Sequence, residues 1–133
     1  MASDEKIARA FFLDSRSPIS SSLASGRPMV AALKRGEMVA MLVDRWGKAD
    51  GVASPFLGGT QYLPRGPFVL SRATGAPILP AFVVRDGSSY RGIIEPPFVV
   101  AEDDLGACAL RISQALERLI RRYPDQWYNF VPL

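Results

Sequence analysis

The sequence predicts an α/β fold whose sheet is partial, mostly parallel and flanked by helices. Two runs, Met38–Val43 and Pro77–Val84, contain no charged residue, which is typical of strands buried on both faces of a parallel sheet. Segments with helical periodicity alternate with these runs, in the order that links parallel strands through helices. Two fully apolar strands need neighbours, and few further strand segments follow. We therefore expect an incomplete sheet.

The first half of the chain is predicted to hold two helices and one strand. Ser3–Leu13 is typical of a helix, with Ser3 as its N-cap and two acids in its first turn. Pro28–Gly36 predicts a second helix, because proline suits the first turn and glycine suits the C-terminal cap. The apolar strand Met38–Val43 follows. Asp44 then stands at a carboxyl end of a strand, where α/β folds bind their ligands.

The middle of the chain is predicted to be mostly irregular. Residues 45–65 are interpreted as a loop with an extended piece at Val52–Leu57. A helix is predicted over Gly66–Thr74, and Gly75 is expected to end it.

The last part of the chain is predicted to hold a hairpin and the longest helix. The strand Pro77–Val84 is followed by a turn at Asp86–Gly87 and by an antiparallel strand, Ser89–Glu95. Asp103–Arg122 repeats its apolar residues at helical spacing, with charges on the other face. The apolar positions of this helix and the residue after it are Leu105, Cys108, Ile112, Ala115, Leu116, Leu119 and Tyr123.

Composition limits the possible classes of protein. The 133 residues are enough for one domain, expected to cover residues 1–133, and the net charge of +3 is too small to predict a nucleic-acid partner. Cys108 is the single cysteine, so no internal disulfide is possible, and we interpret it as a core thiol.

The chain contains no histidine. Ser-His-Asp and Cys-His catalysis are therefore excluded for this chain, and no metal or cofactor is expected. No apolar run approaches the roughly 20 residues of a membrane-spanning helix.

Two pairs of residues are candidates for binding an anion. Asp44 and Arg45 follow the first apolar strand, where an arginine can hold a phosphate through two hydrogen bonds. The alternatives are an aspartate that caps the loop and a surface contact between Arg45 and its acidic neighbours. Arg65 and Gly66 stand at the start of a predicted helix, which favours anions. The alternative is that this segment only begins the helix.

An apolar segment between these pairs is a candidate for contact with a fatty acyl chain or a membrane. It comprises Phe56, Leu57, Gly58, Tyr62 and Leu63. The alternative, which we favour, is that these residues cover the core. The tail Trp127–Phe130 is interpreted in the same two ways, as a docking segment or as an edge of the core.

Eight stretches of this sequence recur, in the same order, in one enzyme family. They are Leu33–Glu37, Met41–Asp44, Ser54–Gly58, Gly66–Ser71, Thr74–Pro77, Tyr90, Pro96–Pro97 and Tyr123–Trp127. On these stretches the chain resembles the bacterial lipid A biosynthesis (lauroyl/myristoyl) acyltransferases, part of the lysophospholipid and glycerolipid acyltransferase superfamily. The resemblance implies the C-terminal half of a glycerolipid-acyltransferase-like fold.

The resemblance also implies a reaction. Members of this family transfer a fatty acyl group from acyl carrier protein or coenzyme A to a hydroxyl of a lipid acceptor. Their base is a histidine followed five positions later by an acid, in the N-terminal portion of the domain. This chain lacks that motif, so we expect it to be part of an acyltransferase and inactive alone. Arg45 and the ending Trp127–Leu133 differ from many members, which leaves the acceptor open between lipid A and another membrane lipid or glycolipid.

The resemblance further implies partners and a location. An acyl carrier protein or acyl-CoA, a lipid acceptor and a membrane surface are the expected partners, at the cytoplasmic face of the inner membrane and peripheral to it. Asp44, Arg45 and Arg65 are expected to line the phosphate side of the substrates, and Phe56, Leu57 and Tyr62 the acyl chain. Two other hypotheses remain: a non-catalytic lipid- or acyl-carrier-binding module, and a dimer formed through exposed apolar surface.

Overall fold

The computed structural model describes residues 11–13, 26–43, 51–101 and 104–127. Along these residues most strands occur as adjacent pairs, and helices separate the pairs. In chain order the elements are β1 (Phe11–Leu13), α1 (Gly26–Lys34), β2 (Val39–Met41), β3 (Gly51–Phe56), β4 (Gly59–Pro64), α2 (Gly66–Thr74), β5 (Ala81–Asp86), β6 (Ser89–Ile94), α3 (Leu105–Arg122) and a 3₁₀ helix (Pro124–Gln126).

The strands of the described residues form three two-stranded ladders rather than one sheet. β1 pairs with β2 in parallel, whereas β3 pairs with β4, and β5 with β6, in antiparallel register. The mixed α/β class is confirmed, but the prediction of a mostly parallel sheet is wrong. The physical reason lies in the connections, because two-residue turns join both antiparallel pairs and a turn that short links only antiparallel strands.

β3 and β4 form a hairpin where the sequence predicted a loop over residues 45–65. Its turn residues Leu57 and Gly58 have φ angles of 49° and 80°, the left-handed pair that a type I′ hairpin turn requires. Leucine rarely adopts this conformation, so the usual Asn-Gly signal of a hairpin was missing. Pro55 is compatible with β3 because the Phe56–Gly59 pair closes the turn, which points the Pro55 nitrogen away from β4.

The start of the chain also differs from its prediction. Ser3–Leu13 was predicted to be one helix, but Phe11–Leu13 is the strand β1, paired in parallel with Val39–Met41. The other residues of that helix prediction lie outside the described residues. The apolar run Phe-Phe-Leu suits a strand as well as a helix, and here long-range pairing decides between them.

The three other helix predictions are confirmed. α2 covers the predicted residues, and its C-terminal glycine Gly75 has φ 72° and donates its N–H to the Ser71 carbonyl at 2.8 Å. Gly36 follows α1 with φ 78°. A residue in the left-handed conformation at the end of a helix donates its N–H to a carbonyl that the helix leaves unpaired. Glycine adopts this conformation without strain, so it suits both ends.

We expect Gly75→Ala to lower the free energy of unfolding by about 1 kcal/mol, because an L-residue is strained in the left-handed conformation. An added Cβ meets no atom within 4 Å, so the cost comes from the backbone alone. Urea denaturation measures it. Gly106→Ala is the matched control, since Gly106 lies inside α3 with the same open space, and there alanine should stabilise the protein. A cost at Gly106 equal to that at Gly75 would contradict this explanation.

The hydrophobic core lies between α3, β4 and α2. Its buried cluster contains Leu63, Phe68, Val100, Cys108, Ala109 and Ile112. Cys108 is thus a core thiol, as predicted, and its burial raises its pKa. Among the described residues no buried side-chain nitrogen or oxygen lacks a partner. Ser113, fully buried on α3, accepts a hydrogen bond from Gln61 Nε2 at 2.8 Å, which attaches the helix to β4.

The β5–β6 hairpin has one exposed apolar face. Val83 pairs with Gly92, so it shares that face with Tyr90 and Ile94, and the three side chains are 73%, 76% and 66% exposed. The prediction that Pro77–Val84 is buried on both faces is therefore wrong. A run without charge shows only that burial is tolerated, whereas actual burial depends on a covering layer.

The other apolar run, Met38–Val43, differs from its prediction in the same way. It contains the strand β2, as predicted, but the β2 residues are half-buried. Met38 and Leu42 on either side of β2 are 53% and 63% exposed. The described residues therefore present apolar surface on either side of β2 and on one face of the β5–β6 hairpin.

Candidate functional site

The site residues predicted on the β3–β4 hairpin lie at its two ends. Phe56, Leu57 and Gly58 are at the turn, whereas Arg65 and Gly66 follow the last residue of β4. The six residues of β4 separate the two groups, which is about 20 Å of extended chain. The structure therefore does not bring these five residues into one site.

Phe56 and Tyr62 face opposite sides of the hairpin. Phe56 pairs with Gly59 and Tyr62 pairs with Ala53, and positions 53 and 56 lie on alternate faces of β3. Phe56 is 1% exposed, and its ring packs edge-on against Trp127 with 6.1 Å between centroids. One acyl chain therefore does not contact both residues along the same face, and Phe56 has the core position that was its alternative.

Gly66, one of the predicted anion-binding residues, lies where α2 meets β2. A Cβ on Gly66 would lie 3.2 Å from the Met41 Cε, so the start of α2 packs against the end of β2. Arg65 is exposed at the N-cap position of α2 and makes no side-chain capping bond. Asp44 and Arg45, which follow β2 in sequence, lie outside the described residues.

An open apolar groove lies between β2, β5 and one side of α3. Its volume is about 430 Å³, within the usual range for pockets that bind small ligands. Its lining includes Leu42 and Val43 after β2, Phe82 on β5, Leu119 and Ile120 on α3, and Trp127. The sequence reasoning missed this groove because its residues come from four separate segments. The available signal was an apolar face on α3 that extends beyond what one core needs.

Gln126 attaches the segment that contains Trp127 to the edge of β5. Its side-chain oxygen accepts the Arg85 N–H at 2.7 Å, and its side-chain nitrogen donates to the Arg85 carbonyl at 3.0 Å. These backbone groups point away from β6, because Arg85 and Tyr90 form a pair without ladder hydrogen bonds. The Gln126 amide thus takes the place of a neighbouring strand, and it holds Trp127 beside the groove.

Two arginines donate hydrogen bonds to the hydroxyl of Tyr123, which is another residue that lines the groove. Arg91 Nη2 donates to the hydroxyl oxygen at 2.7 Å and Arg122 Nε donates to it at 3.3 Å. The hydrogen bond from Arg122, together with the charges of both arginines, lowers the pKa of Tyr123. Tyr123 is one of the residues that line the groove. The positive charges of the two arginines therefore lie beside the apolar surface of the groove.

A second cavity, of about 550 Å³, lies between the β3–β4 turn and α3. Glu117 joins these elements. Its carboxylate accepts the Leu57 N–H at 3.1 Å and two hydrogen bonds from Arg121 at 2.7 and 3.1 Å. The bonds from Arg121, and then the bond from Leu57, lower the pKa of Glu117. The turn predicted to contact an acyl chain is thus attached to α3 by an ion-paired carboxylate.

Glu117→Gln is expected to reduce the loss of stability on acidification. Because the folded-state pKa of Glu117 is lowered, its contribution is present above the unfolded pKa of about 4.3 and is lost as the pH falls through the folded value. The difference in stability between wild type and variant at about pH 7 should therefore shrink below about pH 4. Urea denaturation at several pH values measures it. Asp125→Asn, an exposed carboxylate on the 3₁₀ helix, is the control. A constant difference across pH would contradict this role.

The described residues offer neither a metal site nor a helix that could span a membrane. They contain no group of three or more His, Cys, Asp or Glu placed to hold a metal ion. None of their helices combines the length and the apolar character that crossing a membrane requires.

Comparison with known proteins agrees with the resemblance found in the sequence. The family of bacterial lipid A biosynthesis acyltransferases matches residues 20–133. The chain belongs to this family. Similar relatives are the lipid A biosynthesis palmitoleoyltransferase of Escherichia coli K12 and a lipid A biosynthesis acyltransferase of Shigella flexneri, each 33% identical over 105 residues.

The match to these acyltransferases covers 76% of this chain and 34% of each relative. The chain therefore spans about a third of the length of the curated relatives it matches. Both the groove residues Leu119 and Ile120 and the arginine pair Arg91 and Arg122 lie within the residues that match the acyltransferase family.

Proposed function

We propose that this chain holds substrate for an acyltransferase that moves a fatty acyl group from acyl carrier protein or acyl-CoA to a hydroxyl of a membrane lipid or glycolipid. The observation that carries the proposal is the open apolar groove beside α3. Family membership supports the reaction class. The groove supports a fatty chain as ligand, because each methylene buried against apolar walls contributes about 0.8 kcal/mol.

In this proposal the acyl chain lies along the groove rather than at the β3–β4 turn. Leu42 and Leu119 line the groove, and Leu42 is 63% exposed and open to a ligand. Arg65, with Asp44 and Arg45, remains a proposed contact for the phosphate of the acceptor or the acyl donor. The packing of Gly66 against Met41 supports this grouping, since Gly66 follows Arg65 and Met41 ends β2, three positions before Asp44.

The base for the reaction is proposed to come from residues outside these 133. Acyl transfer to a hydroxyl needs a group that accepts the hydroxyl proton, and the resemblance to the family implies a histidine. This chain contains none. The chain is therefore proposed to contribute substrate binding and no base, and to be inactive alone.

The purified 133-residue chain is expected to show no acyl transfer from a labelled acyl carrier protein to a lipid acceptor, while still binding a fatty acyl chain. Thin-layer separation of labelled lipid measures transfer, and quenching of tryptophan fluorescence by a brominated fatty acid measures binding. The E. coli palmitoleoyltransferase is the positive control for transfer. Labelled product from the isolated chain would contradict the absence of a base, and a lack of quenching would contradict the proposed role of the groove.

A chimera provides the positive test of the function. In it, the 105 matched residues of the E. coli relative are replaced by the matching residues of this chain. We expect the chimera to transfer acyl groups, since it combines this groove with the relative's remaining residues. A folded chimera that binds acyl chains but transfers none would favour the second candidate function, a non-catalytic lipid- or acyl-carrier-binding module. The coexistence of an apolar groove with a histidine-free sequence is the observation in favour of that module.

We also propose that the protein is peripheral to the inner membrane, at its cytoplasmic face. The exposed apolar side chains Val83, Tyr90 and Ile94 on one face of β5–β6 support contact with a membrane surface or with a second copy of the chain. Co-sedimentation with lipid vesicles and light scattering of the purified chain separate these two contacts. Failure in both measurements would exclude this face as a contact surface.

A further inference from the structure

We infer that Arg91, Arg122 and Tyr123 bind the phosphate of a single-chain lipid whose acyl chain lies in the groove. The inference rests on the proposed function and deepens it, because it identifies a phosphate-bearing amphiphile as the ligand and assigns the residues that recognise its charge. None of these three residues was a candidate in the sequence.

The first argument is the geometry of the hydrogen-bond donors. The Arg91 and Arg122 side chains both donate to the Tyr123 hydroxyl oxygen, so two guanidinium groups converge on one point. Each guanidinium has five N–H donors in a planar fork, and the contacts with Tyr123 and Asp86 use at most two of them. The remaining donors suit the oxygens of a phosphate, which arginine binds through paired hydrogen bonds. Tyr123 accepts from both arginines, so its own proton is available to the same anion.

The second argument is the position of this cluster beside the groove. Tyr123 belongs to both, since it is one of the residues that line the groove and its hydroxyl accepts the hydrogen bonds of the arginines. A ligand that satisfies both parts must combine an anion with an apolar chain. Free phosphate would leave the apolar walls in contact with water. A neutral lipid would leave Arg91 with the exposed Asp86 as its acid, and it would offer no anion to Arg122. Charge complementarity therefore selects an amphiphile with a phosphate.

The third argument is the weak competition from protein carboxylates. Asp86 is the acid that pairs with Arg91, at 3.7 Å from Nε, and both side chains are more than half exposed. Exposed ion pairs at this distance contribute little, so a phosphate can replace Asp86 without a large loss. Within the part of the chain that the structure describes, Arg91 has this one ion pair and Arg122 has none, which leaves net positive charge for the ligand.

Trp127 provides a direct reporter, because it lines the groove and Trp46 is the only other tryptophan. In a Trp46→Phe background, the single tryptophan fluorescence is titrated with three probes. They are a monoacylglycerol phosphate with a brominated chain, the monoacylglycerol with the same chain and no phosphate, and inorganic phosphate. The lipids are used below their micelle concentrations. Bromine quenches the indole when the chain lies beside Trp127 in the groove.

We expect the phosphate-bearing lipid to bind at least about tenfold more tightly than the neutral lipid, since hydrogen bonds to charged groups are the strong ones. Arg91→Gln and Arg122→Gln should each remove most of that preference and leave the neutral lipid within about twofold. Arg72→Gln, which makes the same charge change on an exposed residue of α2, should leave all affinities unchanged. Circular dichroism checks that each variant is folded.

The possible results separate the inference from the function on which it rests. Equal binding of the two lipids by the wild type, or an undiminished preference in both arginine variants, would overturn the phosphate site and leave the acyl groove in place. Competition by inorganic phosphate at the same concentration as the lipid would overturn the amphiphile as ligand. Quenching by neither lipid would overturn both the inference and the proposed acyl groove.

Discussion

Phe68→Ala is expected to lower the free energy of unfolding by about 3–5 kcal/mol, the usual cost of truncating a buried phenylalanine. Phe68 is 1% exposed in the first turn of α2, and it belongs to the buried cluster with Leu63 of β4 and Ile112 of α3. Removal of the ring leaves a cavity where three elements meet. Because small domains are stable by only about 5–15 kcal/mol, the variant should be close to unfolding at room temperature.

Urea denaturation followed by circular dichroism measures this loss. Arg72→Ala is the control on the same helix, since Arg72 is exposed and surface changes usually stay within about 0.5 kcal/mol. If Phe68→Ala cost less than about 1 kcal/mol, the packing of α2 against α3 through this cluster would be wrong. Binding of a fatty acid by the folded fraction should persist, because Phe68 does not line the groove.

The parts of the fold that sequence predicted well are those with local causes. α2 and its end at Gly75 follow from a proline near the helix start and a glycine after its end. α3 follows from apolar residues at helical spacing, and Cys108 is buried among them. The turn at Asp86–Gly87 predicted the β5–β6 hairpin, with a glycine where φ is 63°. In each case the deciding residues lie within a few positions of one another.

The failed predictions concern contacts between distant segments. The pairing of β1 with β2 joins Phe11 to Val39, and no pattern inside either segment specifies that partner. The β3–β4 hairpin was missed for a different reason, because its Leu57–Gly58 turn departs from the usual turn sequences. Its stabilisation comes from Glu117, 60 residues away. Apolar runs predicted strands correctly but not their exposure, which depends on what covers them.

The candidate site was the least accessible to sequence reasoning. The groove combines β2, β5, α3 and Trp127, and Arg91 meets Tyr123 across 32 positions of sequence. Sequence reasoning selected residues beside strand ends and apolar loops, which is where motifs are visible. It identified the family correctly, since ordered motifs are a property of the chain itself. The residues that share one surface are a property of packing.

Leu119→Glu is expected to weaken binding of a fatty acyl chain at least about tenfold. Leu119 is half-buried on α3 and lines the groove. Its replacement removes an apolar contact, worth about 1.5–3 kcal/mol when a leucine is fully buried, and it places a carboxylate where the chain would lie. A charge that is buried by a ligand without a partner loses its hydration. Quenching of Trp127 by a brominated fatty acid in the Trp46→Phe background measures the change.

Leu110→Glu is the matched control for this prediction. It makes the same substitution on the same helix at another half-buried leucine, but Leu110 lines the cavity beside the β3–β4 turn instead of the groove. Both variants should therefore lose similar stability in urea denaturation, whereas only Leu119→Glu should lose acyl binding. Equal losses of binding would indicate a general effect of destabilising α3. Loss only in Leu110→Glu would move the acyl site to the turn at Leu57–Gly58, where the sequence alone had placed it.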